Sequence, residues 1–304
     1  AGLSRLVRLK DWSWSGGGWA KEFSAVRGWA KEGGLAVYDE RTGKGILGHV
    51  VARYITTLSV VIVLNGDSIP HADRLYAKLT ARFDEVALYL SSNKANTNVI
   101  FGEDARLVKG RERPQRLGSF SAVVSPLSFL QVNDEMRDRL YADACAALAG
   151  FGGDVTELYS GVGLLTAELA LRLKDAHITA VEIVPEAVKD AEKLMRSLGL
   201  SERVTEICGD AAEHMRSLAG STVPRALLVD PPRKGCDESV LDAAVKAGFE
   251  RIVYISCNPA TLARDLKFLT DRGYALTLLQ PYDLFPQTMH VETLAVLEKA
   301  KKEI

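Results

Sequence analysis

The stretch "ELYSGVGLLTAELALRLKDAHITAVEI", residues 157–183, decides how the rest of the chain is read. It opens on the end of a β-branched apolar run and turns through Gly161 and Gly163. From Leu164 it continues with apolar residues at helical spacing, and it closes on a second β-rich run, "HITAVEI". Strand, glycine turn, helix and strand in that order are the repeating unit of a parallel sheet, whose neighbouring strands need a long crossover between them. Ligands of such sheets bind beyond the carboxyl ends of the strands, so the residues directly after each strand are the ones to read for function.

Two features of the stretch meet there. Gly161 and Gly163 permit a tight turn and close approach of a ligand to the backbone. Glu182, about twenty residues further on, ends the next strand, where a carboxylate can accept both hydroxyls of a ribose. A lone G-x-G is weak, and a carboxylate before a helix is commonly a solvated charge. Their pairing favours an adenosine-bearing ligand.

Working outward, the same alternation continues on both sides. A helix "EMRDRLYADACAALAG" precedes the stretch. After it come helix "EAVKDAEKLMRSLG", strand "VTEICGD", helix "AAEHMRSLA", strand "RALLVDPP", helix "ESVLDAAVKAG", strand "RIVYISC" and helix "PATLARDLKFLTDRG". Two closing strands, "ALTLLQPYD" and "HVETLAVLEK", have no helix between them, so one of them is expected to run antiparallel. Residues 118–304 thus read as a doubly wound α/β domain. Residues 1–117 alternate differently, with strands "LAVYDE", "ILGHVVARYIT", "LSVVIVLNG" and "EVALYLSS" around one helix, "HADRLYAKLTARF", which suggests a smaller α+β domain. Its first ~35 residues carry no assigned structure. They hold all four tryptophans, Trp12, Trp14, Trp19 and Trp29, which read as anchors to a core in preference to stacking platforms for bases.

Composition sets limits. At 304 residues, 47% hydrophobic and 25% charged, the chain is that of a globular protein, and no apolar run approaches a membrane span, so a cytoplasmic protein is expected. It begins with Ala1 in place of Met, which is compatible with loss of upstream residues. The net charge of −1 divides unevenly: residues 1–117 carry 18 Lys and Arg against 12 Asp and Glu, and residues 118–304 carry 20 against 27. The basic half could face a polyanion, with its densest cluster, Arg106, Lys109, Arg111, Arg113 and Arg116, expected in a linker or loop.

The remaining strand exits add chemistry. "CGDAAEH" places Asp210 where it accepts from an adenine amino group or caps a helix. In "VDPPRKG" two prolines fix the backbone after Asp230, and Arg233 and Lys234 follow as candidate phosphate contacts. "YISCNPATL" puts Cys257 at a strand exit. The four cysteines, Cys145, Cys208, Cys236 and Cys257, form no C-x-x-C pair, which argues against a disulfide framework, a metal site or an iron–sulfur cluster. Cys145 and Cys208 read as small buried hydrophobes. Cys236, after Arg-Lys-Gly, is a competing reactive thiol.

Taken in order, "FLQVN", "ELYSGVG", "VEIVPEAV", "DPPRKG", "SCNPATLARDL" and "MHVETLAVL" resemble the successive motifs of the RNA 5-methyluridine methyltransferases, over residues ~88–304. The resemblance implies a Rossmann-like class I methyltransferase domain of seven strands, the last one antiparallel and inserted beside the strand of Cys257. It implies S-adenosylmethionine as methyl donor and a uridine of ribosomal or transfer RNA as substrate. By the same resemblance Cys257 is the nucleophile that adds to carbon 6 of uracil, and Glu292 is the base that removes the proton from carbon 5. Gln131, Tyr159, Gly161, Gly163, Glu182, Asp210 and Asp230 match donor-contacting positions, and Phe129 a position near the target base. His290 is expected to pack in preference to orienting Glu292. Many relatives add an N-terminal RNA-binding barrel and several an iron–sulfur cluster; this sequence displays neither. Two other readings stand beside this one. An amino-group methyltransferase also uses an Asp-Pro-Pro exit, though usually with an aromatic where this chain has Arg233. A non-catalytic RNA-binding or RNA-folding factor would retain the scaffold without needing Cys257 and Glu292.

Overall fold

The computed structural model describes residues 3–8, 20–39, 41–95, 100–128, 130–131, 133–151, 153–218 and 226–300, with residues 3–8 and 20–23 described by their backbone. The chain divides into two compact units, residues 1–116 with 120–132 and residues 117–119 with 133–304.

In the first unit, β1 (Leu3–Arg8), α1 (Ala20–Glu32), β2 (Leu47–Tyr54), β3 (Leu58–Leu64), α2 (Ala72–Thr80), β4 (Val86–Ser92) and β5 (Arg106–Gly110) follow in sequence. The strands form one sheet in the order β1-β2-β3-β4-β5, antiparallel except for β3 with β4, which α2 connects as a crossover. Trp29 of α1 is 1% exposed in a core shared with Ile62, Leu64, Leu75, Leu79 and Leu88, and its Nε1 donates to the Pro70 carbonyl at 2.8 Å. That is the anchoring role expected of the tryptophans; Trp12, Trp14 and Trp19 lie outside the described residues.

Two expectations are corrected here. "LAVYDE" makes isolated bridges, Val37 with Leu47 and Asp39 with Lys44, in place of a strand. The Asp39 side chain accepts from the backbone N–H of Arg41 and Thr42 and turns the chain before a ladder can form. The basic cluster is a loop only in part: Arg106 and Lys109 belong to β5, where Lys109 pairs with Asp73 at 2.7 Å, and Arg111 and Arg113 lie in the connection after it, Arg113 pairing with Glu85 at 3.0 Å. A short hairpin, β6 (Gln115–Leu117) and β7 (Phe120–Ala122), follows.

The second unit runs α3 (Asp134–Leu148), β8 (Val155–Leu158), α4 (Leu164–Arg172), β9 (Ile178–Glu182), α5 (Pro185–Ser197), β10 (Val204–Cys208), α6 (Ala211–Ser217), β11 (Ala226–Val229), α7 (Glu238–Ala247), β12 (Arg251–Ser256), α8 (Pro259–Thr270), β13 (Tyr274–Tyr282) and β14 (Glu292–Lys299). Its seven strands lie in the order β10-β9-β8-β11-β12-β14-β13. The first five are parallel, and β14 enters antiparallel between β12 and β13. The fold is therefore the Rossmann-like, class I methyltransferase arrangement expected from the sequence. Strand order reverses between β8 and β11, and the crevice beyond the carboxyl ends of that pair is where a ligand belongs.

Local signals explain the helices. Pro185 and Pro259 occupy the first helical position of α5 and α8, where the missing N–H costs nothing. Asn258 caps α8 by accepting from the Ala260 N–H at 3.0 Å. On one face of the sheet α6, α7 and α8 cover Leu158, Leu227, Ile252, Tyr254 and Leu297. Alternate residues such as Val253, Ile255 and Val296, also buried, turn to the other face, where α3 crosses β12 and β14.

Glu157 sits in the middle of β8, 2% exposed, and burial pushes its carboxyl up to about 8. With an ordinary value of 4.5, the unfolded chain ionises first, so this group costs stability progressively as pH rises from about 4.5 to about 8. Glu157→Gln is expected to melt near the parental temperature around pH 5 and above it near pH 8.5, by a stability gain on the order of 1–3 kcal/mol, read by thermal denaturation at both pH values.

Candidate active site

The turn after β8 is built on left-handed backbone: φ is 66° at Tyr159, 58° at Gly161 and 78° at Gly163. Gly163 is required by packing, because a Cβ there would stand 3.0 Å from the Ala191 Cβ and 3.1 Å from the Met195 Cε of α5. At Gly161 a Cβ would meet nothing within 4 Å, so the backbone lies open on that side. The Gly161 N–H donates to Glu182 Oε2 and the Val184 N–H to Oε1, both at 2.9 Å. These bonds hold the Glu182 carboxylate at the exit of β9 while leaving further lone pairs for a diol. Open backbone at Gly161 and an oriented carboxylate beside it fit the ribose of an adenosine cofactor. Ile183, which follows Glu182, is 63% exposed, an apolar side chain at the edge of the same corner that sequence reasoning passed over. Its signal was an aliphatic residue directly after the acidic one, outside any buried stripe.

Asp210 is the N-cap of α6, its Oδ1 accepting from the Glu213 N–H at 3.0 Å. Tyr159 is half-buried against the core that holds Cys236. Cys236 itself is 3% exposed, and burial pushes its thiol up to about 12, so it does not offer a thiolate. Cys145 is buried as expected. Cys208 is exposed, against expectation, because β10 is an edge strand and Cys208 is its last residue.

The chemistry-bearing side chains gather at the exits of β11 and β12 and at the start of β14. Antiparallel register pairs Ser256 with Thr293, so Cys257, which follows Ser256, and Glu292, which precedes Thr293, lie at the same end of the two strands although 35 residues apart in sequence. Glu292 is 3% exposed; Cys257 is half-buried. Burial raises the Cys257 thiol above its ordinary value, the negative charges of Glu292 and then Asp230 raise it further, and the Arg233 guanidinium opposes them. Asp230, at the end of β11, is pushed up to about 7, mainly by burial and then by the charge of Glu292. Cys257, Glu292, Asp230 and Arg233 thus share one electrostatic environment. Lys234 does not join them: it pairs with Asp237 at 3.1 Å and lines a groove of about 500 Å³ between α7 and α8. His290 packs edge-on against Phe285 with ring centroids 6.1 Å apart. Gln131 belongs to the first unit, and its Oε1 is buried with no hydrogen-bond partner among the described residues. Phe129 lies outside the described residues.

Comparison with known proteins decides the family. The model of the tRNA (Uracil-5-)-methyltransferase family matches residues 118–300. The chain belongs to that family. An uncharacterized RNA methyltransferase of Halalkalibacterium halodurans is 39% identical over 286 residues, covering 91% of this chain and 62% of the relative. One of Caldanaerobacter subterraneus is 37% identical over 287 residues, with coverage of 92% and 63%. The chain therefore spans a little over three fifths of the length of these relatives. Among solved structures, the Pyrococcus abyssi tRNA (uracil-54, C5)-methyltransferase in complex with S-adenosyl-L-homocysteine superposes with a TM-score of 0.80 at 22% identity, over 97% of this chain and 75% of that one. The M. jannaschii tRNA m1G37 methyltransferase gives 0.55 at 12% identity, over 92% and 77%. These likenesses concern the fold. Among the described residues no helix is long and apolar enough to cross a membrane, and no three His, Cys, Asp or Glu residues cluster as metal ligands.

The shared environment makes a signed prediction. Glu292→Gln and Asp230→Asn each remove a negative charge that raises the Cys257 thiol, so each shifts the pH profile of Cys257 alkylation by iodoacetamide to lower pH; Arg233→Ala shifts it higher. Peptide mass mapping separates Cys257 from the exposed Cys208. A profile unmoved by all three substitutions contradicts the grouping.

Proposed function

We propose that the protein transfers a methyl group from S-adenosylmethionine to carbon 5 of a uridine in ribosomal or transfer RNA, through a covalent bond between Cys257 and carbon 6. The observation that carries this reading is the register of β12 on β14, which brings a thiol and a carboxylate together at a strand exit. Family membership and relatives named as RNA methyltransferases support RNA as the substrate.

Carbon 5 of uracil is a weak nucleophile and needs activation. The Cys257 thiolate adds to carbon 6, and the C5–C6 π pair moves toward the carbonyl at carbon 4 as an enolate. Carbon 5 would then take the methyl group that the sulfonium of S-adenosylmethionine makes electrophilic, the methyl–sulfur bond breaking with its electron pair left on sulfur so that S-adenosylhomocysteine departs. Glu292 then accepts the proton from carbon 5. The electron pair of that C–H bond restores the C5–C6 double bond, and the sulfur of Cys257 departs as thiolate. Asp230, at the exit of β11, is a further methyl-donor contact, its carboxyl pushed up to about 7 by burial and by the charge of Glu292. Arg233 favours the thiolate against the two carboxylates. In the donor corner Glu182 accepts from ribose hydroxyls, Ile183 offers apolar surface to the adenine, and Tyr159, Gly161, Gly163 and Asp210 complete the contacts. The target uridine must leave its stack for carbon 6 to be reached.

The test is donor-dependent release of tritium from ribosomal and transfer RNAs labelled at uracil carbon 5. The parent protein is expected to release it, and Cys257→Ala to fall by at least about 1,000-fold. Methyl transfer without release identifies amino-group chemistry; RNA binding without any methyl transfer identifies a non-catalytic factor. Either result overturns the proposal.

A further inference from the structure

Helix α8 breaks its own apolar pattern. Leu262, Leu266 and Leu269 form its buried stripe, and Asp265 lies within that stripe, 1% exposed. A carboxylate so placed needs donors on all sides, and it has them. Its Oδ2 accepts from the Tyr254 hydroxyl at 2.6 Å and the Cys236 N–H at 2.9 Å, and its Oδ1 from Arg264 Nε at 2.8 Å. None of these groups takes part in the methyl-transfer chemistry described above.

What the network holds is the loop after Asp230. Arg264 Nη2 donates to the carbonyls of Lys234 at 2.9 Å and Cys236 at 3.2 Å. Asn258 Nδ2 and Thr261 Oγ1 donate to the carbonyl of Arg233 at 3.0 and 3.2 Å. Gly235 lies between these points with φ 78°, and a Cβ there would stand 2.5 Å from Asp265 Oδ2 and 2.6 Å from Arg264 Nη2. The loop therefore rests directly on the ion pair. Asn258 connects it to the nucleophile, since it is the residue after Cys257, caps α8 with its Oδ1 and reaches Arg233 with its Nδ2.

We propose that the ion pair of buried Asp265 with the solvent-facing Arg264, acting with Asn258, is a positioning clamp that fixes the Arg233–Cys236 loop against the turn carrying Cys257. This deepens the uridine methyltransferase reading and rests on it. Asp265 and Arg264 are positioning residues: the clamp aligns Asp230 and Arg233 with the sulfur of Cys257, and loss of alignment of about 1 Å at such a centre can cost on the order of 100-fold in rate.

Asp265→Asn tests it in the full 304-residue chain. The amide keeps the shape but cannot accept on both sides, so Arg264 is released from one anchor. Amide hydrogen exchange, read by mass spectrometry, is expected to quicken at residues 233–237 and 257–260 by about tenfold or more. Binding of S-adenosylmethionine by calorimetry stays within about twofold, and kcat for tritium release falls by about 10- to 100-fold while KM for RNA changes little. Arg264→Lys behaves like Asp265→Asn, because one ammonium cannot replace a guanidinium fork that reaches a carboxylate and two carbonyls. Unchanged exchange in Asp265→Asn overturns the clamp, whatever the activity, and so does faster exchange with parental kcat. A kcat loss matched by an equal loss of donor binding overturns it as well, by making the effect a general one on folding. A parent chain that releases no tritium overturns the uridine reading, and the exchange measurement still decides the clamp.

Discussion

The antiparallel insertion of β14 between β12 and β13 is the constraint on which the rest of the site depends. Six of its eight residues are buried, and its ladder to β12 runs without a bulge from Arg251 with Glu298 to Ser256 with Thr293. Because side chains alternate across a strand, a slip of one residue would turn every buried position of β14 to the wrong face, so the register is firmly specified. The two ends of the ladder follow from it. This antiparallel register puts residues 292 and 257 at the same end of the paired strands, whereas a parallel seventh strand would have placed Glu292 at the opposite end.

The same sheet edge concentrates acids where burial makes charge expensive. Glu292 disfavours ionisation of both Asp230 and Cys257, Asp230 disfavours that of Cys257, and Arg233 is the cation that counters them at the sulfur. Of these groups Asp230 is the one displaced toward neutral pH. Asp265 makes the contrast. It is equally buried, but a hydroxyl, a backbone N–H and a guanidinium satisfy it, so its charge serves the geometry of a loop and no proton transfer.

The second unit was legible in the sequence because its periodicity switches sharply between strand and helix, and because the absence of a helix between "ALTLLQPYD" and "HVETLAVLEK" announced an antiparallel strand. The first unit was less so. Helix α1 hides behind a glycine and tryptophan run: Trp29 read as a core anchor, but the fold discloses the helix that carries it. The basic run at 106–116 looked like a linker since charge says nothing about pairing; ladder bonds to β4 and the acids Asp73 and Glu85 decide its structure. Exposure of Cys208 depends on which strand is at the edge, a property of the strand order alone. Asp210 satisfies the capping alternative left open at the outset. Asp265 lies on the buried stripe of α8, and its partners come from a strand and a loop that sequence spacing does not bring together.

The central claim is a covalent bond between one sulfur and one carbon, and the most direct measurement traps it. In RNA carrying 5-fluorouridine, carbon 5 holds fluorine where the proton should leave, so elimination of the sulfur stalls after methyl transfer. Incubation of the protein with such RNA and S-adenosylmethionine, followed by nuclease and protease digestion and mass spectrometry, is predicted to yield a methylated fluorouridine adduct on the peptide containing Cys257. An adduct on Cys236 or Cys208, or methylated RNA with no adduct at any cysteine, would contradict the account.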